Sequence, residues 1–296
     1  MTRMKRLRKS LTQFPDIEPP SPWLLAMESR AVWEFWAGVA SFKALQYLVP
    51  RGDGHPVLVI PGLGAGDYST ALLRKFLDEI GYVSYPWDLG RNKGWREENS
   101  DVMRERLRSV FDAYGQKISL IGQSLGGVYA RELARMEPRL VRQVIMLGSP
   151  FTGHPLASTG THLYEWLSGD RLEDIDFSQH LEMRVKPPVP VTSVYSKFDG
   201  VVAWPCSVEE PQADGESINL RGHSHIGMAS APAALYLIAK RLAQTDASWQ
   251  PYRPHGLARL FFDVAPPVPT EPTAPTVHAK PVPARRRRSP HQPKAA

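Results

Sequence analysis

Gly122-Gln123-Ser124-Leu125-Gly126 is the stretch of this chain whose residue types and spacing point most directly to chemistry. Before it, Lys117-Ile118-Ser119-Leu120-Ile121 is short, apolar and partly β-branched, which predicts a buried strand. After it, Gly127 to Arg135 has helix-forming composition with apolar positions spaced by turns. Strand, G-x-S-x-G, helix is a nucleophile elbow, in which a serine is forced onto a sharp strand-to-helix turn. Glycines two residues to either side admit neighbouring backbone where a Cβ would clash. The helix N-terminus favours negative charge developing beside Ser124. Ser124 is the expected nucleophile.

A serine hydroxyl is a poor nucleophile and needs a base, an orienter for that base, and donors for the oxyanion. After an elbow serine, the acid and then the histidine follow in chain order. Tyr195-Ser196-Lys197-Phe198-Asp199-Gly200-Val201-Val202 sets Asp199 just past an apolar strand, before a glycine that permits a turn. Asp214 also precedes a glycine, but no apolar strand leads into it, and Asp176 lies in a lid-like segment. Arg221-Gly222-His223-Ser224-His225-Ile226-Gly227-Met228 is a loop before the last helix and offers two histidines. The residues alone hardly choose between His223 and His225. His154, His162 and His180 precede Asp199 and break the order. No cysteine or carboxylate cluster accompanies the histidine pair, so no metal is expected. The oxyanion donors are expected to be the backbone N–H groups of Leu63 and Leu125. The loop Pro61-Gly62-Leu63-Gly64-Ala65-Gly66 lacks both the Gly-Lys-Ser/Thr ending and the G-x-G-x-x-G spacing of phosphate cradles. No cofactor is expected.

The elements that must position these groups alternate. Buried strands are expected at 55–60, 82–85, 117–121, 141–147, 189–195 and 217–220, and helices at 70–80, 97–111, 127–135 and 231–243. Apolar runs alternating with helices predict an α/β fold with a mostly parallel central sheet covered by helices on both faces. Residues 51–263 form the expected catalytic domain, and 152–188 a small helical lid-like insertion within it. Ser21-Pro22 opens an N-terminal helical extension over 21–50, with an N-cap serine and proline at the first helical position. Its apolar residues Val32, Phe35, Trp36, Val39, Phe42 and Leu45 are expected to pack on the body. Trp23, Trp33 and Trp36 also suit a membrane-surface contact, against which Glu28 and Glu34 count.

The 296 residues are 42% apolar and 22% charged, ample for a real core. The net charge of +6 sits in the ends. Residues 1–10 carry five Lys or Arg and no acid, 265–296 carry a further surplus of five, and the body is mildly acidic. The basic balance therefore gives little reason to expect a specific nucleic-acid partner. Residues 1–20 read as a flexible basic leader, and the proline- and arginine-rich 264–296 as a disordered tail. A single cysteine, Cys206, excludes an internal disulfide. With no apolar segment following the basic start, no secretory signal is expected and the cytoplasm is the expected compartment.

Four pieces together resemble the α/β-hydrolase superfamily, and among its members the small bacterial lipases and esterases. They are Val57-Leu58-Val59-Ile60-Pro61-Gly62-Leu63-Gly64, Gly122 to Gly127, Ser196 to Val202, and Ser224-His225-Ile226-Gly227-Met228. In the minimal lipases the catalytic histidine stands directly before an aliphatic-Gly-aliphatic triplet, which points to His225 over His223. The resemblance implies an α/β-hydrolase fold, a Ser124–His225–Asp199 triad, an acyl-enzyme intermediate, and a small-molecule or lipid ester as substrate. It spans roughly residues 55–245. Pro61-Gly62 stands where lipases often have His-Gly, and the N-terminal helix lies outside the match, which leaves the substrate open. Acyl transfer by the same residues, and a non-catalytic binding module on the same fold, are the other readings.

Overall fold

The computed structural model describes residues 17–94, 97–152, 158, 184–210, 212–245 and 248–264. Most of the leader, most of the 152–188 insertion and the tail from 265 lie outside the described residues. Helices α1 (Pro22–Ala26) and α2 (Ala31–Leu48) precede β1 (Pro56–Ile60). Then follow α3 (Ala71–Glu79), β2 (Val83–Pro86), α4 (Glu97–Tyr114), β3 (Ile118–Gln123), α5 (Leu125–Met136) and β4 (Val141–Leu147). After the insertion come β5 (Val191–Tyr195), β6 (Gly215–Leu220), α6 (Pro232–Leu242) and β7 (Phe262–Val264).

The strands form one sheet in the order β2-β1-β3-β4-β5-β6-β7, parallel except for β7 against β6. β1 shows why apolar runs produce it. Every residue of Pro56-Val57-Leu58-Val59-Ile60 is buried, and successive side chains take opposite faces. Val57 and Val59 join a core with Phe42 of α2, Phe76 of α3 and Leu235 of α6. Leu58 and Ile60 join the opposite core with Leu107 of α4 and Leu133 of α5. Helices thus cover both faces, as expected. The chain order reverses direction between β1 and β3, and ligands of open parallel sheets bind outside the strand C-termini at such a point. The elbow stands there.

Two expectations need correction. The folded body does not stop at Asp263. β7 runs through Val264 and pairs with β6, and Asp263 accepts hydrogen bonds from Asn219 and Arg221. A three-residue strand has too few residues for a period to be read. The larger correction concerns α2. Of its expected packing stripe only Phe42 and Leu45 are buried, and Val32, Phe35, Trp36 and Val39 are exposed. The helix is apolar nearly all round, so periodicity could not choose a face. It docks instead through Ala31, Gly38, Phe42 and Leu45, with Glu34 on the same side. Ser21 does cap α1, and α2 ends at Leu48 before Pro50.

Arg131 on α5 and Glu209 are both buried and form a two-pronged ion pair at 2.5 and 3.2 Å. The same guanidinium donates to the Arg184 carbonyl at 3.0 Å and lies 4.3 Å from the centre of the Phe151 ring. Arg131→Met is expected to cost about 3–5 kcal/mol, because Glu209 would stay buried without its counter-charge. Thermal melting checks this, with a midpoint lowered on the order of 10 °C. Adding Glu209→Met should recover much of the loss.

Candidate active site

Ser124 sits between β3 and α5 with φ 53° and ψ −125°, a conformation that non-glycine residues rarely hold. Its amide donates to the Leu147 carbonyl at 2.7 Å, which fixes the corner against β4. The flanking glycines are required by closeness. A Cβ on Gly122 would lie 2.2 Å from the Gly126 carbonyl oxygen, and one on Gly126 2.4 Å from that of Ile60. The elbow is thus wedged into the end of β1.

Asp199 follows β5 and His225 follows β6, and the structure brings them together although 26 residues separate them. His225 Nδ1 lies 2.7 Å from Asp199 Oδ2, with both side chains buried. Asp199 Oδ1 accepts from the Val201 and Val202 amides at 2.8 and 2.7 Å, so its orientation is set by its own loop. Gln123, next to Ser124, donates to the carbonyls of His225 and Ile226 at 3.3 and 3.1 Å. That ties the histidine loop to the elbow. Among the described residues neither Ser124 Oγ nor His225 Nε2 makes a hydrogen bond, to the other or to any third group, whereas Nδ1 is taken by Asp199. Burial alone lowers the pKa of the imidazole, but the charge and hydrogen bond of Asp199, with the charge of Glu28, outweigh it and raise it above the ordinary value. His223 is only half-buried, and its Nδ1 is held by the Arg221 carbonyl at 2.7 Å. Asp214 pairs with Lys186 at 2.9 Å. Asp176, His154, His162 and His180 lie outside the described residues.

Glu28 and Glu34 are the residues that sequence reasoning missed. Glu28, buried in the turn between α1 and α2, accepts from the backbone amides of Gly200 and His225, each at 2.9 Å, and of Ile226 at 3.1 Å. One carboxylate therefore grips both the acid loop and the histidine loop. Glu34 accepts from the Ser224 amide at 3.0 Å and from its hydroxyl. Arg30 adds a bond to the Phe198 carbonyl at 2.5 Å. The glycines after the two loops belong to this arrangement. Neither Gly200 nor Gly227 has a positive φ, so the turn expected at Gly200 does not require glycine. A Cβ on Gly200 would meet the Leu24 carbonyl oxygen at 2.3 Å, and one on Gly227 would meet Glu34 at 1.6 Å. They are glycines because the N-terminal segment presses against them.

The Leu63 and Leu125 amides lie in the loop after β1 and at the first turn of α5, and among the described residues neither donates to a carbonyl. Buried Asn92 clamps the first of these loops. Its side chain donates to the Pro61 carbonyl at 2.9 Å, its amide to Ala65 at 2.8 Å, and its carbonyl accepts from Gly64 at 2.7 Å. A cleft of about 280 Å³ opens beside Asp199, lined by Leu24, Lys197, Ala203, Trp204 and Pro205.

Residue types alone do not make such a site. Asp53, His55 and Ser119 also form a Ser-His-Asp chain, with His55 Nε2 2.8 Å from Ser119 Oγ and Nδ1 against Asp53. It lies at the opposite ends of β1 and β3. Ser119 is fully buried inside its strand, and Arg142 closes on Asp53 at 2.8 Å. Although burial opposes ionisation there, hydrogen bonds from His55 and Arg142 hold the Asp53 carboxyl below the usual range. That network binds strands together and has no space for a substrate. Burial, with the Asp199 charge adding to it, pushes the Cys206 thiol up to about 12, so it is no competing nucleophile.

No protein-family model matches the chain. A curated relative, polyketide synthase ThaQ of Burkholderia thailandensis, is 35% identical over 113 residues, 36% of this chain but 5% of that protein. The chain thus spans a small part of the length of the relative it matches. Among solved structures, lipase B of Aspergillus fumigatus superposes with a TM-score of 0.50 at 17% identity, covering 65% of this chain and 53% of that one. An α/β superfamily hydrolase from Oenococcus oeni PSU-1 gives 0.45 at 16%, covering 63% and 91%. A largely parallel seven-stranded sheet, a strained serine after β3 and the likeness to lipase B agree: the chain has the α/β-hydrolase fold.

Proposed function

We propose that this protein is a serine hydrolase of carboxylic esters. Ser124 Oγ attacks the ester carbonyl while His225 Nε2 takes its proton. Asp199 holds the imidazole with Nδ1–H toward it and stabilises the imidazolium that forms. The Leu63 and Leu125 amides donate to the tetrahedral oxyanion, a role in which one lost donor costs about 10²–10³ in rate. His225 then protonates the leaving alcohol, and a water activated by the same imidazole releases the acid and frees Ser124. The observation that carries this reading is the buried Asp199–His225 pair, at 2.7 Å, tied through Gln123 to a serine in elbow conformation. Fluorophosphonate labelling together with an ester panel tests it. A protein that neither labels nor hydrolyses any ester would overturn it.

Glu28 is the positioning residue of this mechanism. It touches no reacting atom, yet it fixes the loops that present Asp199 and His225, and its charge favours the imidazolium. The base works only as neutral imidazole, so the raised pKa sets the acid limb of kcat/KM above pH 6.5, the ordinary imidazole value. Glu28→Gln keeps the shape and removes the charge. It is expected to move the acid limb to lower pH and to lower the plateau about ten- to a hundredfold as the loops loosen. Glu34→Gln, whose partner is Ser224, should leave the limb in place. A limb unmoved in Glu28→Gln would reduce its part to loop packing.

Acyl transfer to an acceptor other than water uses the same groups, and the stretch shared with a polyketide synthase favours keeping it as the second reading. Product analysis with competing alcohols or thiols separates the two.

A further inference from the structure

The N-terminal segment is built inside out for a surface helix. Its carboxylates, Glu28 and Glu34, face the body, and its large apolar residues face solvent. Trp23 is 72% exposed, Val32 58%, Trp33 77%, Phe35 41%, Trp36 58% and Tyr47 85%. Monomeric proteins seldom leave such a run of aromatic area uncovered. Glu28 and Glu34 argued in the sequence against a membrane-surface helix, and that objection falls because both are turned inward. The charged residue standing exposed on α2 is Lys43. Residues 1–10, which lead into this segment, add five Lys or Arg and no acid.

Aromatic side chains on one face, exposed Lys43 among them and no exposed acid within residues 22–48 match the interfacial zone of an anionic bilayer, where Trp and Tyr sit at headgroup level and Lys and Arg meet phosphate. A second copy of the chain meeting this face would offer its own cations instead of counter-charge. Among the described residues no helix is long and apolar enough to cross a membrane, so the helix would lie on the surface. The loops that carry Asp199 and His225 lie against this segment. Exposed Phe198 and Ile226 flank Asp199 and His225, and both are hydrogen-bonded through their backbone to this segment, by Arg30 and Glu28.

We propose that the outward face of residues 22–48, with the basic leader, seats the protein on an anionic lipid surface. The docking part stands on exposure and charge alone; that the site then draws its ester from the lipid rests on the hydrolase reading.

Vesicle flotation of the full-length protein tests docking without any turnover. Phosphatidylcholine vesicles containing phosphatidylglycerol should bind at least about tenfold more tightly than phosphatidylcholine alone, and raised salt should weaken the binding. Tryptophan emission should shift to the blue as Trp33 and Trp36 leave water. Trp33→Ser with Trp36→Ser should cut binding about tenfold or more, and so should changing Arg3, Lys5, Arg6, Arg8 and Lys9 together to Gln. Both variants should melt normally and turn over a water-soluble ester at the wild-type rate. No flotation with anionic vesicles, or flotation indifferent to the tryptophans, would overturn the proposal. A wild-type dimer that the tryptophan changes split into monomers would overturn it in favour of a contact between copies. Docking with no ester turnover would leave the surface standing and remove the hydrolase.

Discussion

Ser124→Ala is expected to lower ester turnover by about 10⁴–10⁶-fold while the protein melts at its wild-type temperature. The two halves of this expectation have separate causes. Rate falls because neither other nucleophile weighed among the described residues can replace it: Ser119 is buried at the far end of the sheet, and the Cys206 thiol stays protonated. Stability holds because Ser124 Oγ gives up no hydrogen bond among the described residues, and alanine must adopt the same positive φ as serine. Ser124→Gly sharpens the test. Glycine accepts φ 53° without strain, so the same loss of turnover should come with a gain in stability, up to about 1–3 kcal/mol if the elbow strain is fully relieved. Initial rates on an activated ester and thermal melting measure both. Turnover unchanged in Ser124→Ala would end the serine-hydrolase reading.

Much of this could be read from the residues, and what could not has definable causes. The sheet was legible because parallel strands buried on both faces leave unbroken apolar runs, as at Val57–Ile60 and Val144–Leu147. The elbow was legible because its glycines are dictated by backbone closeness, which leaves a fixed spacing. Chain order and turn context singled out Asp199 but left His223 and His225 open, and only the resemblance to the minimal lipases pointed to His225. Glu28 and Glu34 were not legible, because a carboxylate that accepts backbone amides from loops 170 to 200 residues away leaves no local pattern. The signal was indirect. A largely apolar N-terminal segment carrying two acids at i and i+6 needs somewhere to put them, and Gly200 and Gly227 are the room left for that segment. The face of α2 was misread for the same reason, since hydrophobic periodicity assumes that apolar residues turn inward.

His225→Ala is expected to abolish burst acylation by an activated ester, and His223→Ala to change its rate by less than about tenfold, below what a general base commonly contributes. The residues alone left the two nearly equal, the resemblance favoured His225, and the geometry supports that preference. A base must reach the nucleophile with one ring nitrogen and its acid partner with the other. His225 Nδ1 is already on Asp199, its Nε2 is free among the described residues, and Gln123 ties its loop to the elbow. His223 spends Nδ1 on the carbonyl of Arg221, two residues away, and meets no carboxylate. Stopped-flow acylation reads both variants, and added imidazole supplies a further check. In His225→Ala the vacated space lies beside Asp199, so free imidazole should restore part of the burst; in His223→Ala it should do nothing. A reversed ranking would move the base to His223, and it would also require the Arg221–Gly222–His223 turn to open, because the ring cannot serve Asp199 while that carbonyl holds it.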